Sequence, residues 1–289
     1  RMHWKNFINE NYNENKFKKV MNMKNTNVKS LYYAALTFIL IVMLSSKIFS
    51  QKLILNDLDY FESRGFDVFV FSNQYTGFFF DEKTAGIEFI HHGVRTATGG
   101  AVRLRHTPEQ WDLVPMVQER KVDKKNNSIE VTLRYKDYNF DSKILVKGTN
   151  DGLNISVFLD KPLPKELEGH AGFNLEFLPS AYFEKTYMID NRTGIFPLYP
   201  SGPVEVKPLT EKIPQFGGHS TYDDRGRNEF VDPLPIAEGS MIVLAPEDQE
   251  HRIQINSLLG NLMLFDGRNI AQNGWFVVRS LIPPDKKGK

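Results

Sequence analysis

Three groups of side chains in this sequence have the types and spacing for proton transfer or ligation. Asp223-Asp224 stands beside Arg225 in the polar run Gln215-Phe216-Gly217-Gly218-His219-Ser220-Thr221-Tyr222-Asp223-Asp224-Arg225-Gly226. Adjacent carboxylates next to a guanidinium can have their proton affinities pushed apart, as an acid and base pair requires. The competing reading is an Asx turn with a surface ion pair. Glu176, with His170 six residues before it, offers a carboxylate and an imidazole that could act together as base and acid. His91-His92 invites a metal reading. Neighbouring residues on a strand point to opposite faces, however, and no further ligands lie at close spacing, so no metal site is assigned. The acidic residues Asp223, Asp224 and Asp232 lack the pattern of an EF-hand loop.

The elements that would position these groups are strands. In Phe173-Asn174-Leu175-Glu176-Phe177 the aromatic and aliphatic residues recur at period two, which predicts a half-buried strand with Asn174 and Glu176 on the solvated face. Pro179 ends it, because proline has no N–H to give a ladder. Short apolar or alternating runs follow the same logic at Val68 to Phe71, Ile87 to Ile90, Val102 to Leu104, Ile129 to Tyr135, Phe140 to Val146, Leu153 to Leu159, Met241 to Leu244, Ile253 to Ile255, Leu262 to Phe265 and Trp275 to Leu281. Asn150-Asp151-Gly152 is hairpin chemistry between two of them. No apolar period of 3.6 persists, so the fold class expected is all-β: a large antiparallel sandwich, supersandwich-like in extent. Residues 191 to 240, rich in proline and glycine, read as a long irregular connection.

The chain has 289 residues, 41% hydrophobic and 25% charged, enough for a large globular core. A net charge of +1 with no basic stripe excludes nucleic acid as a general electrostatic partner. Without cysteine there is no disulfide framework, thiolate nucleophile or Cys-ligated metal. Residues 1–22 form an Asn/Lys-rich segment outside any domain. Residues 23–50 have a signal-peptide layout: Lys24 and Lys29, an apolar run from Leu31 to Leu44, then small residues up to Ser50. That run is shorter than the roughly 20 residues of a membrane span. The expected product is a β-sandwich module over 51–282, secreted or periplasmic, with no membrane span after cleavage. Residues 283–289, with Pro283-Pro284 and lysines, read as the start of a linker. Aromatic residues make up 12% of the chain, and exposed rings stack on the apolar faces of sugars. Trp111, in the polar run Thr107-Pro108-Glu109-Gln110-Trp111-Asp112, Tyr222 and Arg225 are the candidate substrate-binding side chains; Trp275 and Phe78, Phe79 and Phe80 read as core.

Several long strings give this chain a wider likeness. They are Pro164 to Gly169, Gly172-Phe173-Asn174-Leu175-Glu176-Phe177-Leu178-Pro179-Ser180, Tyr182-Phe183-Glu184-Lys185, Asn56-Asp57-Leu58-Asp59-Tyr60-Phe61-Glu62, His91-His92-Gly93-Val94-Arg95-Thr96, Thr107 to Asp112, and Gln272-Asn273-Gly274-Trp275 with the strand after it. In these the chain resembles the N-terminal module of secreted glycoside hydrolase family 9 (cellulase-type) proteins of Bacteroidetes. The resemblance implies a non-catalytic module. In such proteins the water-activating aspartate lies in an Asp-Ala-Gly-Asp type motif on a helical barrel, and neither the motif nor the helices occur here. It also implies a polysaccharide such as a β-glucan as the parent's substrate, immunoglobulin-like and catalytic domains downstream as partners in the same chain, and no cofactor. Two other readings stand beside it. One is a stand-alone sugar-active enzyme of mutarotase-like architecture using Glu176 and a histidine. The other is a purely structural module packed between domains.

Overall fold

Alternation at period two becomes a sheet only where neighbours complete the ladder, and in the computed structural model that happens along most of the chain. The structure describes residues 52–72, 86–104, 115–208, 219–222, 228–269 and 274–283, and side chains within these except over 206–232. The chain divides between Phe49 and Ser50, and every described residue belongs to the second unit. In chain order the strands are β1 (Ile54–Leu55), β2 (Phe61–Ser63), β3 (Phe66–Val70), β4 (Ile87–His91), β5 (Val94–Arg103), β6 (Met116–Asp123), β7 (Ser128–Tyr135), β8 (Phe140–Gly148), β9 (Leu153–Leu159), β10 (Gly172–Phe177), β11 (Thr186–Ile189), β12 (Arg192–Ile195), β13 (Val204–Pro208), β14 (His219–Tyr222), β15 (Asn228–Pro233), β16 (Ala237–Gly239), β17 (Met241–Leu244), β18 (Ile253–Asn256), β19 (Leu262–Asp266) and β20 (Phe276–Leu281). One helical turn, α1 (Pro179–Tyr182), starts on Pro179, where a missing N–H costs nothing.

The largest sheet is antiparallel, nine-stranded, and ordered β1-β2-β3-β4-β5-β10-β20-β19-β16. Strand β10 lies in its interior, hydrogen-bonded to β5 on one side and β20 on the other. A second sheet, β6-β7-β8-β9, packs against it, and a third, β12-β11-β17-β18, shares the same core. A three-stranded sheet, β13-β15-β14, completes the set. The all-β sandwich expected from the alternation is what forms.

Two kinds of contact join the layers. Apolar side chains from both sheets meet, among them Val68, Ile87, Val102 and Leu175 from the large sheet and Ile129, Val131, Leu133 and Ile144 from the second. Polar ties cross as well: the Tyr135 hydroxyl donates to the Val102 carbonyl, and Arg120 donates through Nε to Val70 O at 2.8 Å and through Nη2 to Asp59 O at 2.7 Å. Aromatic rings run through the core in a chain, Phe66 to Phe89, Phe177, Tyr182, Phe196 and Phe276, with centroids 4.6 to 6.5 Å apart. Edge-to-face contacts of this kind fix ring orientation beyond what area burial supplies.

Asn127 ties β1 to the second sheet. It sits in the turn between β6 and β7 at φ 53°, accepts from Leu55 N at 2.7 Å and donates to Leu53 O at 2.8 Å. Asparagine tolerates that conformation better than alanine does. Asn127→Ala is therefore expected to cost about 2–3 kcal/mol, two partly buried hydrogen bonds plus the conformational penalty. Urea denaturation measures it, and hydrogen exchange at Leu55 should accelerate in the variant.

The expectation for 191 to 240 is corrected. That stretch carries β12 to β16, and two of its prolines sit within them at strand ends, Pro208 in β13 pairing with Glu229 and Pro233 in β15 with Val204. Proline is tolerated there because no further ladder is needed.

Candidate functional site

Strand β10 carries the first chemistry-bearing group. Leu175 and Phe177 face the core shared with the second sheet, as the alternation predicts. The other face is not solvated. Asn174, Glu176 and, on the neighbouring strands, Arg103, Arg279, Thr98 and Glu88 are all buried, with Glu176 and Arg279 at 0% exposure. This corrects the placement of Glu176 on a water-facing surface: alternation separates the two faces of a strand but cannot say whether the polar one is wet.

Register explains why these groups meet. Asn174 pairs with Arg279 across β20 and Glu176 with Thr98 across β5, so side chains one row apart share a face. Arg279 Nη1 donates to Asn174 Oδ1 at 2.7 Å, and Nη2 donates to the His170 carbonyl. Arg103 Nη2 lies 3.9 Å from Glu176 Oε1. Glu88 accepts from Thr98 Oγ1 at 3.1 Å and faces Arg95 Nε at 3.3 Å. Buried charges persist only when they are paired, and the face supplies both signs. Room for the carboxylate is made by a bulge in β5, between the partners of Asn174 and Glu176. There Gly99 has φ 64°, and a Cβ on it would lie 2.6 Å from Glu176 Oε1.

His170 is exposed in the turn before β10, whereas Glu176 is fully buried near the other end of that strand. The two are not brought together, and a carboxylate shut away from water cannot reach a sugar ring.

A second cluster gathers where β4, the segment after α1 and the β17–β18 loop meet. Lys185 Nζ lies 2.5 Å from Asp248 Oδ2, and His251 Nδ1 lies 2.7 Å from the same oxygen. Asp248 Oδ1 accepts from Glu250 N at 3.0 Å. The Lys185 hydrogen bond, helped by His251, holds the Asp248 carboxyl well below its ordinary range. The His91 ring is tilted against Phe66 with centroids 4.5 Å apart and its Nδ1 is 2.5 Å from Thr96 Oγ1. Burial, then His251 and His92, push His91 down to about 4. Burial likewise raises the Tyr182 phenol.

His91 and His92 do part company. His91 is buried at the end of β4, whereas His92 is exposed at φ 47° and, with Gly93 at φ 80°, makes the two-residue turn into β5. The His-His-Gly string is a hairpin signature. Among the described residues no group of three or more metal-ligating side chains comes together.

Trp111, Asp223, Asp224 and Arg225 lie outside the described residues, as do Phe78, Phe79 and Phe80. Tyr222 ends β14, with its side chain outside the described set. Trp275 is only half-buried, just before β20. Sequence reasoning missed Arg103, Arg279 and Glu88, since each sits in a separate string and only the strand order makes them neighbours. It also missed Asp248 and His251, although their spacing of three residues in one loop was a visible signal. Among the described residues no helix is long and apolar enough to cross a membrane. Comparison of the chain with protein-family models, with curated proteins and with solved structures finds no match.

Proposed function

We propose that this chain is the N-terminal β-sandwich module of a secreted glycoside hydrolase of the family 9, cellulase type, and that it supports or extends the substrate cleft without breaking bonds itself. One observation carries this reading. Within the family-like string Gly172 to Ser180, residues Gly172 to Phe177 form an interior strand of the nine-stranded sheet, and its carboxylate is sealed from water beside Arg103. A strand of that kind anchors a module; a glycosidase needs two carboxylates that reach the scissile bond from either side. The substrate class is a β-glucan or related polysaccharide acted on by the parent. The module's partners are immunoglobulin-like and catalytic domains of that parent, and its compartment is the periplasm or the exterior.

The test is a reducing-sugar assay on a soluble β-1,4-glucan. The chain by itself is expected to release nothing above buffer, and Glu176→Gln to leave that unchanged. Turnover at an enzyme-like rate that vanishes in Glu176→Gln overturns the proposal.

A further inference from the structure

The loop between β17 and β18, residues 245–252, is fastened to the segment after α1 at one corner. Ala245 N donates to Thr186 O at 2.8 Å, Thr186 N donates to Glu247 Oε1 at 2.5 Å, Lys185 pairs with Asp248, and the Tyr182 hydroxyl donates to His251 O at 3.2 Å. Beneath the loop stands His91, 7% exposed, its ring centroid 6.0 Å from that of His251.

The groups that surround His91 are unbalanced in charge. The loop contributes His251 and Asp248, and its own turn contributes His92. His251 in turn is held from the other side, by Lys185, whose Nζ is 3.3 Å from His251 Nδ1, and by the Tyr182 ring of α1, edge-on to it. From β3 comes the Phe66 ring and from β5 the Thr96 hydroxyl, neither of them ionic. Among the described charges that act on His91, Asp248 is thus the one carboxylate against the two imidazoles of His251 and His92, and it is already paired with Lys185.

We propose that this corner is an acid-released latch: protonation of His91 drives the 245–252 loop off the segment 182–186 while the two large sheets stay folded. In the closed state His91 is neutral, because a proton on it would be buried away from water and would face His251 and His92, with the nearby Asp248 already paired to Lys185. In the open state it is an ordinary imidazole. A group depressed from 6.5 to about 4 in the closed state favours closure fully above 6.5, and that contribution is lost as pH falls toward 4. The latch does not depend on which glycan, if any, the chain serves.

Hydrogen exchange with mass spectrometry on the intact chain tests it, with rates corrected for the intrinsic pH dependence of amide exchange. The amides that cross the corner, Ala245 N donating to Thr186 O and Thr186 N donating to Glu247 Oε1, report on closure. Between pH 7.5 and 4.5 their protection is expected to fall about 70-fold, remaining well below that of β7 and β8 throughout. His91→Gln, which keeps a polar group for Thr96 and removes the charge, should hold the loop's protection within a few-fold over that range. His251→Gln, which leaves the packing of His91 on Phe66 in place, should shrink the acid loss several-fold. Loop protection that stays constant in the unaltered chain overturns the latch. So does loop protection equal to that of β7 and β8 at pH 4.5, since the event is then global unfolding.

Discussion

Gly99→Ala is expected to cost about 2–5 kcal/mol of folding stability, from two penalties that a methyl group incurs at once. At φ 64° any Cβ is strained, and this one lies 2.6 Å from the Glu176 carboxylate, which is fully buried and cannot swing away. Gly93 provides the control. It too has positive φ, at 80°, but a Cβ there meets nothing within 4 Å, so Gly93→Ala should show the conformational penalty alone, about 1 kcal/mol. Urea unfolding of both variants gives the comparison. If the two cost the same, the notch beside Glu176 has slack, and the bulge in β5 serves some purpose other than housing that carboxylate.

Arg279→Met is expected to cost about 3–5 kcal/mol, in the range found when one member of a buried charged network is removed. The guanidinium is fully buried, and its loss strips a donor from Asn174 Oδ1 and from the His170 carbonyl that precedes β10. Methionine fills much of the volume, so the loss reports polarity more than cavity formation. Arg279→Lys keeps the charge but cannot present two N–H groups in a fixed fork, and about 1–3 kcal/mol of the loss should remain. A fully stable Arg279→Met protein would mean that the polar face tolerates an orphaned acceptor, contrary to the cost of burying one.

The fold was legible in this sequence wherever one face of a strand is apolar and its flanks turn. Leu153 to Leu159 and Met241 to Leu244 coincide with β9 and β17 residue for residue, because turn chemistry marks their ends. Strand β6, Met-Val-Gln-Glu-Arg-Lys-Val-Asp, was not legible, since an edge strand buries little and shows little alternation. The short strands between Arg192 and Gly239 were hidden by the prolines around and within them and by their brevity, three to six residues each. At the polar face, the chemistry of Glu176 was plain in the sequence but its surroundings were not. Burial of Asn174 and Glu176 depends on Arg103 and Arg279, some 70 and 100 residues away in sequence, and no local period encodes that pairing. The His91 cluster shows the same limit from the other side. The pair His91-His92 drew attention as a unit, yet the ring that matters to His91 is His251, delivered by a loop at the far end of the chain.

Strand β6 has one more consequence. It forms one margin of its four-stranded sheet, with β7 on its inner side, and carries Glu119, Arg120, Lys121 and Asp123 within five residues, with a register slip between Val117 and Glu119. Charges of both signs and a local kink spoil the flat row of free N–H and C=O groups on which another chain could zip. Crowded copies of this protein therefore find no template along that side, and the risk of amyloid-like stacking that accompanies so much β-structure is curbed there by the very residues that made the strand hard to see.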